Sequence, residues 1–387
     1  MNWVSLRLGE AMDIKHGFAF KGEFFAESGE YVLLTPGNCH EAGGIKLRGE
    51  KEKYYVGEIP AEYILGRGDL LVVMTDLVGT APVLGGAFVV PESDRYLHNQ
   101  RLGLVQVTDR SRIDQRFLYY LLNTHDYRAQ IRGSASGATV RHTSPGRIRA
   151  AVVRIPQDTG YQRRIADTLS DYDDLIDNNR RRIKLLEDSV RLLFDEWFVR
   201  LRFPEGAVSA VADGVPAGWS KVCLDEVLLL QRGFDLPSQN REAGEVPIYG
   251  STGIVGFHKE AKVAGPGLVT GRSGSLGEVH FVARDFWPLN TALWVKEFKR
   301  ATPLFALHLL RGMRLEQYNG GVSVPTLDRK VVHKAEVLLP ATSVMQRFES
   351  FAEDVYRQID TLTAMNEKLR TARDLLLPRL MSGELTV

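Results

Sequence analysis

The sequence is poor in the groups that anchor catalysis, metals or membranes. Cysteine is nearly absent: Cys39 and Cys223 are the two in 387 residues, far apart and without a CxxC or Cys/His neighbourhood. That excludes a disulfide framework and a zinc ribbon, and we expect both thiols to behave as small buried apolar groups. No apolar run approaches the twenty or so residues of a membrane span, and the opening from Met1 to Met12 lacks a basic head followed by a greasy core. The expected setting is the cytoplasm, with no membrane. Charge of one sign is also scarce, 49 basic residues against 48 acidic for a net of +1, which by itself argues against nucleic acid. The stretch from Gly271 to Gly277 has glycines but not the Lys-Ser/Thr of a phosphate-binding loop, and nine histidines are scattered. There is no nucleophile elbow, no HExxH and no aromatic Asn-Pro-Pro or Asp-Pro-Pro run. We therefore expect a binding protein with no catalytic residue, no metal and no cofactor of its own.

What the chain does contain is one long periodic stretch, Thr159 to Arg200, stated twice. Its apolar seam is Ile165, Leu169, Tyr172, Ile176, Ile183, Leu186, Val190, Leu193 and Trp197, with Asn179 in the gap. Steps of four and three mark a coiled-coil surface. Adding 183 to these positions gives Phe348, Ala352, Val355, Ile359, Leu362, Asn366, Leu369, Arg373, Leu376 and Leu380, the same seam made weaker at Asn366 and Arg373. Asn179 would set register at some cost in stability, unless it faces solvent. Thr159-Gly160-Tyr161-Gln162 and Ser343-Val344-Met345-Gln346 each fit a capping box. The first helix should stop before Pro204, and Pro378 should kink or fray the end of the second.

The blocks before the helices are duplicated too. Trp3 to Glu10 and Gly17-Phe18 reappear as Trp219 to Glu226 and Gly233-Phe234 at a shift of 216, and Gly68 to Gly79 matches Pro266 to Gly277 at 198. Ser136 to Val140 matches Gly320-Gly321-Val322-Ser323-Val324 at 184, so the second block is a shorter copy. In each block, short strand-like runs (Leu70–Met74, Ala87–Val90, Leu102–Val107; Gly267–Thr270, Val279–Val282, Ala292–Val295) precede a short helix, Gln115–Leu122 or Pro303–Leu310. The expected fold is α+β: two similar, mostly antiparallel domains joined by two long antiparallel coiled-coil helices, with a pseudo-twofold internal duplication. The boundaries are 1–156, a helix in 157–203, 204–340 and a helix in 341–387. A seam of about 33 residues would be about 50 Å long, enough to separate two sites on B-DNA by a helical turn or more.

Charge is unevenly distributed. Arg110 to Arg154 holds nine arginines against Asp114 and Asp126, and Lys296 to Lys334 holds eight basic residues against three acidic ones. Such segments suit phosphate backbones. Bases would be read by short polar side chains beside Arg: Thr75, Asp76, Thr139, Arg141, His142 and Arg147 in the first block, and Tyr249, Ser251, Thr252, Arg272, Ser273, Ser275, Thr326, Arg329 and Lys330 in the second.

The order domain, helix, domain, helix, together with Leu193-Phe194-Asp195-Glu196-Trp197-Phe198-Val199, Val215-Pro216-Ala217-Gly218-Trp219, Thr270 to Gly277, Asp285-Phe286-Trp287-Pro288-Leu289-Asn290-Thr291 and the ending Leu375 to Leu385, resembles the specificity subunit of type I restriction-modification systems over the whole chain. The resemblance implies two target recognition domains, each reading half of a split sequence in double-stranded DNA, and helices that act as spacer and dock two methyltransferase subunits. Those partners would supply S-adenosylmethionine chemistry on adenine, and motor-nuclease subunits would join for restriction. A specificity subunit of another modification system, or a scaffold that binds protein instead of DNA, are the other classes this sequence leaves open.

Overall fold

The computed structural model describes residues 2–204, 211–212, 215–321 and 323–387. Val322, one position of the duplicated glycine turn, lies outside them. The chain divides into two compact units, Met1–Asn178 with Asn366–Val387, and Asn179–Met365.

In unit 1, β1 (Trp3–Arg7) pairs antiparallel with β8 (Val152–Pro156), the strand that leads into the long helix. Between them lie β2 (Met12–His16), β3 (Leu70–Val73), β4 (Thr75–Asp76), β5 (Ala87–Val89), β6 (Leu102–Val107), α1 (Gln115–Leu121), α2 (His125–Ser134), β7 (Arg141–His142) and α3 (Pro145–Ala150). The four-stranded antiparallel sheet runs β2-β6-β3-β5. Strand β3 is buried on both faces, as its unbroken Leu-Leu-Val-Val run requires. A second sheet built from short strands between Phe25 and Leu97 accounts for most of the extra length of the first block.

Unit 2 repeats the plan. Strand β9 (Ser220–Cys223) pairs with β17 (Glu336–Leu339) as β1 pairs with β8. Its sheet comprises β10 (Leu228–Arg232), β13 (Gly267–Gly271), β14 (Val279–Val282) and β16 (Ala292–Phe298), in the order β10-β16-β13-β14. A smaller sheet holds β11 (Val246–Gly250), β12 (Gly253–His258) and β15 (Trp287–Pro288), and α5 (Pro303–Gly312) and α6 (Arg329–His333) complete the block. Equivalent strands occupy equivalent places in both sheets, so the duplication extends to topology.

The long helices are α4 (Thr159–Phe194) and α7 (Thr342–Ser382). Within unit 1, Ile176 meets Asn366 and Asp173 meets Arg373; within unit 2, Phe194 packs on Phe348 while Glu187 and Tyr356 line one cavity. Both units thus hold an antiparallel pair. Ile165, Leu169, Ile176, Asn179 and Val190 are buried and Tyr172, Ile183, Leu186, Leu193 and Trp197 half-buried; on α7, Val355, Ile359 and Leu362 are buried and Leu369 and Leu376 half-buried. Asn179 is buried, which removes the solvent-facing alternative, and Asn366 Nδ2 donates to the Ile176 carbonyl at 3.4 Å.

Several details differ from expectation. The α4 cap is Asp158, whose carboxylate accepts from Gly160 N at 2.9 Å. Gln162 is instead buried and turned away, accepting from Asp114 N at 2.8 Å and donating to the carbonyls of Arg112 and Pro156, so it ties the cap of α1 to the long helix. Helix α7 begins at Thr342, one residue before the expected capping box. It runs through Pro378 to Ser382 without fraying there, the proline forfeiting one backbone N–H bond inside the last turns. After Phe194 the first helix widens into a π turn, Asp195–Val199, whose extra residue brings Phe198 into the cluster of Phe194, Phe305, Phe348 and Trp219. Cys39 is buried, its thiol pushed up to about 12 by desolvation, but Cys223 is exposed at the end of β9. No helix among the described residues is long and apolar enough to cross a membrane.

Candidate nucleic-acid interface

In unit 1, loops more than sixty positions apart meet just beyond the end of β3. The short strands β4 and β7 pair, setting Asp76 opposite Arg141 and Thr75 opposite His142. Thr75 Oγ1 and His142 Nδ1 share a hydrogen bond of 3.1 Å, and Thr143 N donates to the Met74 carbonyl at 2.9 Å. The turn from Ser136 to His142 closes on itself through paired backbone bonds, and Arg147 Nη1 donates to Ser136 Oγ at 3.0 Å and the His142 carbonyl at 3.4 Å. Arg141 Nη2 donates to the Arg132 carbonyl at 2.9 Å. Thr139, His142 and Arg147 are exposed and Arg141 half-buried.

Unit 2 builds the same kind of surface. Ser273 bridges Thr326, Leu327 N donates to the Arg272 carbonyl at 2.8 Å, and Gly274 N donates to the Pro325 carbonyl at 2.9 Å. The β11–β12 turn carrying Ser251 and Thr252 lies against the same loop: a Cβ on Gly271 would meet the Ser251 carbonyl at 3.1 Å. Arg272 Nε donates to the Asn290 carbonyl at 2.8 Å, fixing the guanidinium at the surface. Asp328 caps α6 through Lys330 N at 2.9 Å, leaving Arg329 and Lys330 exposed on its first turn.

Three expected contacts belong to the frame instead. Thr75 and Asp76 are buried, and Asp76 accepts from Val78 N at 3.0 Å and Val83 N at 2.8 Å, so its carboxylate is spent on shaping its own loop. Tyr249 is buried against Phe286 and His280, with its phenol pushed up by desolvation. The basic segments are likewise not continuous faces. Arg112, Arg116 and Arg149 pair with Glu10, Asp167 and Asp13, and buried Arg128 donates to the carbonyls of Glu41 and Pro82. In unit 2, Arg311 holds the Val279 carbonyl at 3.0 Å and Lys299 the Asp225 carbonyl at 2.8 Å.

Other residues of this surface carry a weaker signal in the sequence. Asn319 Oδ1 accepts from Gly321 N and Thr326 N, both at 2.9 Å, and so sets the second loop; its Asn-Gly-Gly sequence is the visible signal. Leu77, Val78 and Val324 are more than half exposed on these loops. For the first two, a Leu-Val pair directly before Gly79 is the available sign.

A family model described as a type I restriction modification DNA specificity domain matches residues 1–188 and 216–371. The type I restriction enzyme MjaIX specificity subunit of Methanocaldococcus jannaschii is 23% identical over 313 residues, 74% of this chain and 72% of that protein. The EcoBI specificity subunit of Escherichia coli is 23% identical over 444 residues, 100% of this chain and 86% of that protein. Among solved structures, the S subunit of a type I restriction-modification system from M. genitalium shares the fold, with a TM-score of 0.59 at 16% identity over 98% of this chain and 96% of that one.

Proposed function

The chain belongs to the type I restriction-modification DNA specificity family, and on that premise we propose that each of its units reads one half of a split target in double-stranded DNA. As a specificity subunit it recognises DNA within a larger complex and is not the catalytic component. The observation that carries the two-half reading is the repetition of one arrangement: in each unit, sequence-distant loops bearing Arg, Ser, Thr or His converge beside a sheet of the same strand order.

The recognition domains are then residues 1–156 and 204–340, and the helical segments 157–203 and 341–387 set the gap and dock two methyltransferase subunits. Adenine would be modified by those partners with S-adenosylmethionine, in the cytoplasm, and motor-nuclease subunits would join for restriction. Within the reading surface, Arg141, His142, Arg147, Arg272, Arg329 and Lys330 are suited to phosphates and guanine edges, and Thr139, Ser251, Thr252, Ser273, Ser275 and Thr326 to adaptable base contacts. Co-expression with the methyltransferase subunit in a host lacking adenine methylation, followed by mapping of modified adenines, tests this. A split motif with a fixed gap is expected, and adding a heptad to both helices should lengthen the gap and leave both half-motifs unchanged. An assembled complex, supplied with cofactor, that methylates no motif would refute the reading.

A further inference from the structure

We propose that Leu77 and Val78 read the C5-methyl groups of pyrimidines in the major groove, within the half-site contacted by unit 1. The inference rests on the DNA-reading role of that unit. Leu77 is 55% exposed and Val78 52%, although their neighbours Asp76 and Ala81 are buried. Nothing about the loop is slack. Asp76 accepts from Val78 N and Val83 N, and Ala81 N donates to the Val78 carbonyl at 2.8 Å. Ala81 sits at a φ of 51°, a left-handed conformation disfavoured for any residue with a Cβ and sustained here by its surroundings. Two apolar side chains are therefore held out in water by a determined backbone.

Their position matches DNA better than a protein partner. A Cβ on Gly79 would lie 3.5 Å from the Ala138 carbonyl, so the tip rests against the turn that carries Thr139, Arg141 and His142, with Arg147 bonded to that turn's far side. An apolar tip resting on a turn that bears arginine fits a polyanion whose groove displays a few methyl groups. Leu and Val can form no hydrogen bond with a base edge, and the one apolar group on the major-groove edges is the C5 methyl, present on thymine. The equivalent loop of unit 2 is built the other way: Leu276, at the place of Val78, packs on the core, and the loop presents Ser273 and Ser275. The two units thus differ in the chemistry they present to DNA.

The test uses the complex assembled with its methyltransferase and the motif found by methylation mapping. Each thymine in both half-sites is replaced in turn by deoxyuridine, which removes only the methyl, and affinity is measured at fixed salt. Loss of a contacted methyl should weaken binding about fourfold, the value of one buried methylene-sized group. The variant L77A/V78A should lose thymine-over-uracil discrimination at those positions, all in one half-site, with an unchanged melting transition. Uracil without effect anywhere in that half-site, discrimination surviving in L77A/V78A, or a half-site with no thymine on either strand would overturn the proposal. So would a loss of methyltransferase co-purification in place of a change in discrimination, which would assign the tip to a protein contact. Failure of the wild-type complex to bind its motif would instead sink the recognition reading itself.

Discussion

Arg373 looks like a flaw in the second seam, and its surroundings predict what replacing it will do. The guanidinium pairs with Asp173 of α4, and Asp173 Oδ2 also accepts the Tyr120 hydroxyl of α1 at 2.7 Å. Burial opposes the Arg373 charge, yet Asp173 and Asp374 together outweigh it and hold the guanidinium protonated. The two side chains are 21% and 26% exposed. An exposed pair couples by at most about 1 kcal/mol, and breaking a fully buried one costs about 3–5 kcal/mol, so a coupling of about 2 kcal/mol is expected at this depth. D173A also strands the Tyr120 hydroxyl, adding about 1 kcal/mol. We expect losses of about 3 kcal/mol for D173A, about 2 for R373M, about 1 for Y120F and about 3, not 5, for D173A/R373M. For a unit of about 200 residues that places the D173A transition about 6–12 °C lower. Urea unfolding gives the cycle, and hydrogen exchange over Gln115–Leu121 and the facing part of α4 assigns it to unit 1. A coupling below about 0.5 kcal/mol would refute the reasoning and make Arg373 a solvated charge.

Two further substitutions probe the frames. Glu349 of α7 is buried and its carboxylate accepts from Leu304 N at 2.9 Å and Phe305 N at 3.0 Å, capping α5 from another helix. E349A should cost about 1–2 kcal/mol and speed amide exchange in the first turn of α5, where a mere surface residue would leave both unchanged. In the first recognition loop, D76A removes the acceptor for two backbone N–H groups, so exchange at Val78 and Val83 should rise while the sheet β2-β6-β3-β5 stays protected. DNA affinity of the assembled complex should fall in parallel, and unaltered affinity would separate the loop from recognition.

The architecture was legible because periodicity and duplication are long-range signals that survive divergence. Helix α4 and the strands Leu102–Val107 and Val279–Val282 lie where alternation and heptads place them. What was illegible was partnership. Gln162 has the spacing of a capping residue, but a buried amide with three tertiary partners outcompetes a local bond. Thr75, Asp76 and Tyr249 have the residue types of base readers, and only the loop's own unsatisfied N–H groups and the core beneath decide that they shape the surface. The arginine-rich stretch from Arg110 to Arg154 suggested a face, but ion pairs with Glu10, Asp13 and Asp167 come from other segments and cannot be seen in its own charge count.

The duplicated junction also shows that two copies of one fold can meet their helices by opposite means. The positions of Tyr120, Asp173 and Arg373 in unit 1 correspond to His308, Tyr356 and Val190 in unit 2. There the ion pair gives way to rings: His308 stacks on Phe194 at 5.5 Å and lies 5.9 Å from Phe348 and 6.4 Å from Tyr356. Burial, reinforced by Arg311 and Arg191, pushes the His308 imidazole down to about 3 from an ordinary 6.5. A base with a depressed folded pKa takes up its proton more readily when unfolded, so stability is intact above about pH 6.5 and falls as the pH drops toward 3. Between pH 7 and pH 5 the loss is about 2 kcal/mol from this residue, approaching about 1.4 kcal/mol per pH unit. Unit 2 should soften in mild acid, and H308F should reduce that slope while keeping the ring in the cluster, the remainder coming from His280 and His333, which burial also pushes down. If the slope in hydrogen exchange over α5 and Phe348–Ile359 is the same in H308F as in the parent, the acid sensitivity belongs to another group and the aromatic junction is indifferent to pH.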